Sequence, residues 1–314
     1  MSISFISLLR EISQVPSRST RNSSTHSHPT HCILNRWISE LRSRYSPLPR
    51  GTTAAVFLLL FPEEDTRRRY DMQETRLAQE LAKCFGLIME GRGESLHKWD
   101  SEATLGCLGT EVMKVLDEAS SVSITRAYQY SDIVAQLYMQ DTDDQTSPLT
   151  IAEVDALLDE LASMSAFTDR SLRKHRSATR TRQTILSDLF KSMPALDASF
   201  LTQIVLKDLR PLLFPLAETH YTAALTKYNT KSVTSLSKED VMKAWDPSGW
   251  MLKTYRVRAC LHEAANAFEL PPSSDQDLTA TPQPRIRIPI EVLSTRCKSF
   301  KHDTEVQPTD PQVH

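Results

Sequence analysis

The sequence predicts an all-α fold, and three observations carry that prediction. Only seven glycines occur in 314 residues, where an average chain holds about 7%. Alternation of β-branched residues at period two is scarce, and several segments repeat apolar residues at the 3.6-residue period of a helix. With 40% hydrophobic residues, the chain can bury one large core or two modest ones.

At the N-terminus, Phe5, Leu8, Leu9 and Ile12 fall at helical spacing and would cover one face of a first helix. The polar stretch SRSTRNSSTHSHPTH follows and reads as a loop. The first thirty residues are also rich in serine and arginine, with Glu11 as the sole acid, a composition shared with organelle transit peptides. Helix followed by loop is the reading adopted. The apolar run from Ala54 to Phe61 is far shorter than the about 18 to 20 residues that cross a bilayer, so no membrane is expected as a partner.

Next comes FPEEDTRRRYDMQE, Phe61 to Glu74, with five carboxylates and three consecutive arginines in fourteen residues. Proline and acids ahead of the stripe Leu77, Leu81 and Phe85 read as a helix start, carboxylates being favourable near the positive end. Gly86 is placed to end that helix. GRGESL has Gly91 and Gly93 but neither a third glycine nor a following lysine, so it reads as a turn and not a phosphate loop.

Val154, Leu157, Leu158 and Leu161 form a second stripe, opened by TIAE, in which Thr150 and Glu153 can form a capping box. Phe200, Leu201, Ile204, Val205 and Leu209 form a third, which Pro211 should stop. SKED, with Ser237 and Asp240 ahead of Val241, Ala244 and Trp245, repeats the capping arrangement. The globular part is expected over 1–270. Residues 271–314 begin with five prolines between Pro271 and Pro289 and read as an extended connector.

The net charge of -2 excludes a uniformly basic coat but not opposed patches. Five cysteines lack C-x-x-C spacing, which fits free thiols in a reducing compartment. His26, His28, His31 and Cys32 offer metal-type ligands, yet they fall in the polar stretch without zinc-site spacing, and no metal is expected. No Ser/His/Asp or Cys/His pair is marked by its context, so no catalytic residue is assigned.

Positive charge is the remaining signal. DRSLRKHRSATRTR sets Arg170, Arg173, Lys174, Arg176, Arg180 and Arg182 against the single acid Asp169, a density suited to phosphates. Planar guanidinium groups offer paired donors to phosphate oxygens. A solvated helix or a flexible connection balancing the acidic QDTDDQ upstream is an equal alternative. No aromatic interleaves with the run, so stacking on single strands is not indicated.

LFPEEDTRRRYDMQETRLAQELAKCFGL, Leu60 to Leu87, resembles the N-terminal DNA-binding domain of eukaryotic ATP-dependent DNA ligases. Three more likenesses follow in order: SPLTIAEVDALLDELA and FLTQIVLKDLR are similar to DNA ligase IV segments, YNTKSVTSLSKEDVMKAWDP to the helical end of that domain. PRIRIPIEVLSTRCKSFKH resembles the connector into an adenylation domain.

The resemblance implies an all-helical domain that grips duplex DNA at nicks or ends, in a nuclear break-sealing enzyme of repair and recombination by non-homologous end joining. It adds Arg67, Arg68, Arg69, Lys207 and Arg210 to the DNA-contact candidates, Arg67 to Arg69 with an alternative role bracing their own turn. End-joining repair proteins become possible partners. Loss of DNA binding, leaving a helical module that recruits or regulates such partners, is the rival expectation.

Family ligases transfer AMP from a lysine in K-x-D-G, and no lysine here stands in that motif. ATP and magnesium would therefore belong to a catalytic domain outside these residues, and the chain itself is expected to hold no cofactor. One departure concerns DNA contact: the family usually places glycine after K-D-L-basic, whereas Pro211 follows here and removes an N–H donor.

Overall fold

A computed structural model describes residues 5–14, 29–87, 92–101, 106–118, 149–174, 180–190, 193–213 and 236–270. Among them every regular element is helical. The expected connector 271–314, most of the polar stretch after the first helix, and QDTDDQ lie outside the described residues.

The first helix, α1 (Phe5–Ser13), buries Leu8, Leu9 and Ile12. Helix α2 (Pro29–Arg44) starts on a proline, whose missing N–H has no intrahelical partner at that position anyway. This start takes in His31 and Cys32, so those two belong to a helix and not to the polar loop. Leu34, Trp37, Ile38 and Leu41 make its inner face.

At the centre lies α3 (Thr52–Leu60), with eight of its nine residues buried. A helix apolar on all sides must be enclosed on all sides. Helices α14 (Leu261–Glu269) and α7 (Ile151–Ser163) pack on it, and the Phe57 ring meets Trp245 of α12 (Lys238–Trp245) edge-on at 5.6 Å. The start of α3 has no side-chain cap of its own. Glu269 supplies one from the end of α14: its carboxylate accepts from the N–H groups of Gly51 and Thr53.

The charged run after α3 is not a helix start. Pro62–Glu64 form one 3-10 turn, residues 65–73 are irregular, and α4 (Glu74–Cys84) begins only beyond them. The reason is Asp65, whose Oδ1 accepts from the N–H groups of Arg67 and Arg68 (3.0 and 3.2 Å) and so closes a side-chain turn in place of a helical one.

Helix α4 buries Leu77 and Leu81 as its stripe requires, with Phe85 against Phe190 at 6.1 Å. Gly86, at φ +63°, ends it. Bonds from Gly86 to the Lys83 carbonyl and from Leu87 to that of Ala82 complete a Schellman motif. The expected turn GRGESL is instead largely α5 (Arg92–His97).

Residues 108–118 (α6) approach α10 (Ala195–Leu206) closely at Gly109, where a Cβ would lie 2.7 Å from the Ser199 carbonyl oxygen. Thr150 and Glu153 form the expected capping box on α7. Asp169 caps the single turn α8 (Arg170–Arg173), and α9 (Arg182–Phe190) packs on α4 and α7.

Helix α10 does not run to Pro211. It stops at Leu206 because Lys207 turns left-handed at φ +62°, with Lys207 and Asp208 N–H bonded to Ile204 and Gln203 in a second Schellman motif. Pro211 is the second residue of α11 (Arg210–Leu213), in the first turn, where proline is tolerated. Ser237 caps α12 by accepting from the Asp240 N–H, but the Asp240 carboxylate turns to Lys243 and only this half of the expected arrangement forms. Buried Asp246 caps α13 (Trp250–Arg258) through Ser248 and Met251. One hydrophobic cluster runs from Leu8 to Ala265.

Candidate nucleic-acid interface

The turn at Asp65 sends three consecutive arginines in different directions. Arg68 goes inward and is 1% exposed. Its Nε donates to Asp159 (2.6 Å) and its Nη2 to Asp155 (2.5 Å), both on α7. Burial works against the guanidinium charge, but Tyr70, Asp155, Asp159 and Asp65 outweigh it and hold the charge on. Burial likewise raises Asp155, against the pull of Arg68. Arg68 is thus enclosed, and the expectation that it touches DNA is corrected: its carboxylate partners bind α7 to the loop.

Arg69 is exposed and Arg67 half-buried. Their backbone is stitched to the turn after α7. Arg69 N–H donates to Thr168 Oγ1 (3.0 Å), the same hydroxyl donates to the Arg69 carbonyl (2.8 Å), and Asp169 N–H donates to the Arg67 carbonyl (2.9 Å). This seam sets Arg67 and Arg69 beside Arg170, Arg173 and Lys174, the last three exposed on and after α8. Two charged stretches about a hundred positions apart in sequence therefore form one patch.

Asp169 is the acid within that patch, and it is spoken for. Hydrogen bonds from Ser171 depress its pKa first, and Arg67 and Arg173 depress it further. Among the described residues, Arg69, Arg170, Arg173 and Lys174 form no ion pair, so their donors face solvent. Such a cluster suits a line of phosphates, each guanidinium giving two parallel N–H donors to one anion.

Of the other candidates, Arg180, Arg210 and Lys207 are engaged within the fold. Arg180 bridges Glu160 (2.5 Å) and Asp188. Arg210 makes a two-pronged contact with Asp208, at 2.8 and 2.9 Å. Arg182 is half-buried, and its pKa is lowered by burial and by neighbouring Arg76. Lys207 donates to the Asp65 carbonyl and lies over the Tyr70 ring at 5.9 Å. Burial brings its pKa down to about 8, with Asp65 opposing and Arg69 and Arg68 assisting. Arg176 lies outside the described residues.

Beside the seam runs a groove of about 870 Å³, bordered by Arg69, Tyr70, Gln73, Arg76, Phe167 and Lys207. Arg76 is paired with Asp71 at 3.6 Å, which leaves Phe167 as the residue that sequence reasoning missed. Phe167 is 78% exposed. It precedes the basic run by only two positions, so an aromatic does stand among these cations in space although none falls inside the run. The signal was SAFTDR, an aromatic in an otherwise polar turn. Among the described residues no group of three or more His, Cys, Asp or Glu could hold a metal ion, and no helix is long and apolar enough to cross a membrane.

Residues 2–213, about two thirds of the chain, match the family described as DNA ligase N terminus. No curated protein matches the chain. The core continues past the matched region through Val241, Trp245 and Leu261 to Ala265.

Proposed function

The chain belongs to the DNA ligase N-terminal family, a DNA-binding domain, and from that premise we propose that it grips duplex DNA at nicks or ends as part of a DNA ligase IV-like protein. Its setting is nuclear repair and recombination by non-homologous end joining. The ordered likenesses from Leu60 to Arg210 support the branch. Grip is through phosphates, because a break can occur at any sequence.

The observation that carries this reading is the seam, where Arg67 and Arg69 lie alongside Arg170, Arg173 and Lys174 with Asp169 as the acid among them. Arg176 joins this set as a proposed contact. Arg68 braces the turn from inside. No K-x-D-G lysine is present, so no adenylation step is assigned to any residue here.

A rival reading, a helical module that recruits or regulates repair partners without touching DNA, is favoured by the internal engagement of Arg180, Lys207 and Arg210. Combined charge reversal at Arg69, Arg170 and Arg173 separates the two. DNA affinity collapses under the first reading and is unaltered under the second.

A further inference from the structure

Phe167 is the most exposed large hydrophobic residue among those described, at 78%, and it borders the groove lined by Arg69, Arg76 and Lys207 together with Asp71 and Glu80. Its place is held. Ser165 and Thr168 on either side are both 2% exposed. Ser165 N–H donates to the Ala162 carbonyl (3.0 Å), and Phe167 N–H donates to Ser165 Oγ (3.2 Å). Thr168 is tied twice to Arg69. The turn therefore projects the ring outward from a fixed base, with Arg69 across the same groove and Arg170 three residues on.

The cations and the ring answer to different parts of a nucleic acid. Arginine–phosphate contacts release counterions and are indifferent to whether the strand is broken. An aromatic ring gains only against base faces, which a continuous duplex hides. Inserting it between stacked bases costs unstacking energy, and that cost is lowest where the backbone is interrupted. Resting on the duplex-binding reading above, we propose that Phe167 packs its ring on the bases at a strand break and so makes the domain prefer nicked over continuous duplex.

The test uses the full chain, as wild type, Phe167→Ala and Phe167→Trp, titrated on nicked and intact duplexes of one sequence at several salt concentrations. Phe167→Ala should weaken nicked-duplex binding by about tenfold, in keeping with the loss of one stacked contact. Its intact-duplex affinity and the salt dependence should be unchanged, and Phe167→Trp should behave as wild type. A fluorescent adenine analogue beside the nick should report stacking for wild type and Phe167→Trp only. The side chain is exposed, so all three proteins should melt alike.

Equal affinities of wild type and Phe167→Ala on both duplexes overturn the proposal, as does an equal loss on both. Binding of neither duplex by folded wild type is a separate failure, that of the duplex-binding reading beneath it.

Discussion

Arg68 and Arg69 are neighbours in sequence and opposites in chemistry. Removing a buried partner leaves charges enclosed without compensation. Asp155 and Asp159 keep 25% and 34% of their side chains exposed, so water softens the loss. Arg68→Ala should cost about 3 kcal/mol in urea unfolding, whereas Arg69→Ala should stay within about 0.5 kcal/mol. Asp197, at the start of α10, is 2% exposed. Burial raises its pKa from 3.8 to about 6, against the pull of Arg10 at 3.9 Å. A carboxyl raised by folding favours the native state below its unfolded value of 3.8, and that contribution is lost as pH rises through about 6. Asp197→Asn should therefore be more stable than wild type by about 1–2 kcal/mol at neutral pH, with the two converging below pH 4. Unfolding curves at the two pH values check this, and a gap that widens in acid contradicts it.

At the scale of elements, what could be read from sequence was what neighbours decide. The α4 and α7 stripes, the Thr150 capping box, the Ser237 cap and the Gly86 stop all depend on residues within a few positions, and all form. What escaped depends on distant partners or on a side chain overriding the local pattern. Asp65 captures the N–H groups that a helix start would have used. Lys207 takes a left-handed conformation unfavourable for a side chain, and its tether to Asp65 and Tyr70 holds it there. The central helix α3 begins without a local cap and receives Glu269 from 216 residues away. That carboxylate also sits at the positive end of the helix dipole. Glu269→Ala should cost about 1–2 kcal/mol of stability, measured by denaturant unfolding. An unchanged midpoint would show that α3 needs no cap from α14.

For the whole molecule, the positive charge was legible as composition but not as a surface. Of the candidates named from sequence, Arg68 and Arg180 turn to acids of the fold and Lys207 to a backbone carbonyl, partners that come within reach only once the chain is folded, whereas Arg210 turns to Asp208 two positions before it. Arg67 and Arg69 meet Arg170, Arg173 and Lys174 through backbone bonds that no local pattern announces. A chain of net charge -2 thereby presents a compact cationic seam. The most direct test of that seam is the affinity for nicked duplex as a function of salt, for wild type and the combined Arg69→Glu, Arg170→Glu and Arg173→Glu variant. With four to five phosphates neutralised, log K should fall linearly against log salt with a slope of roughly -4, and the variant should lose most of both slope and affinity. Salt-insensitive binding, or no binding, by well-folded wild type would contradict the account.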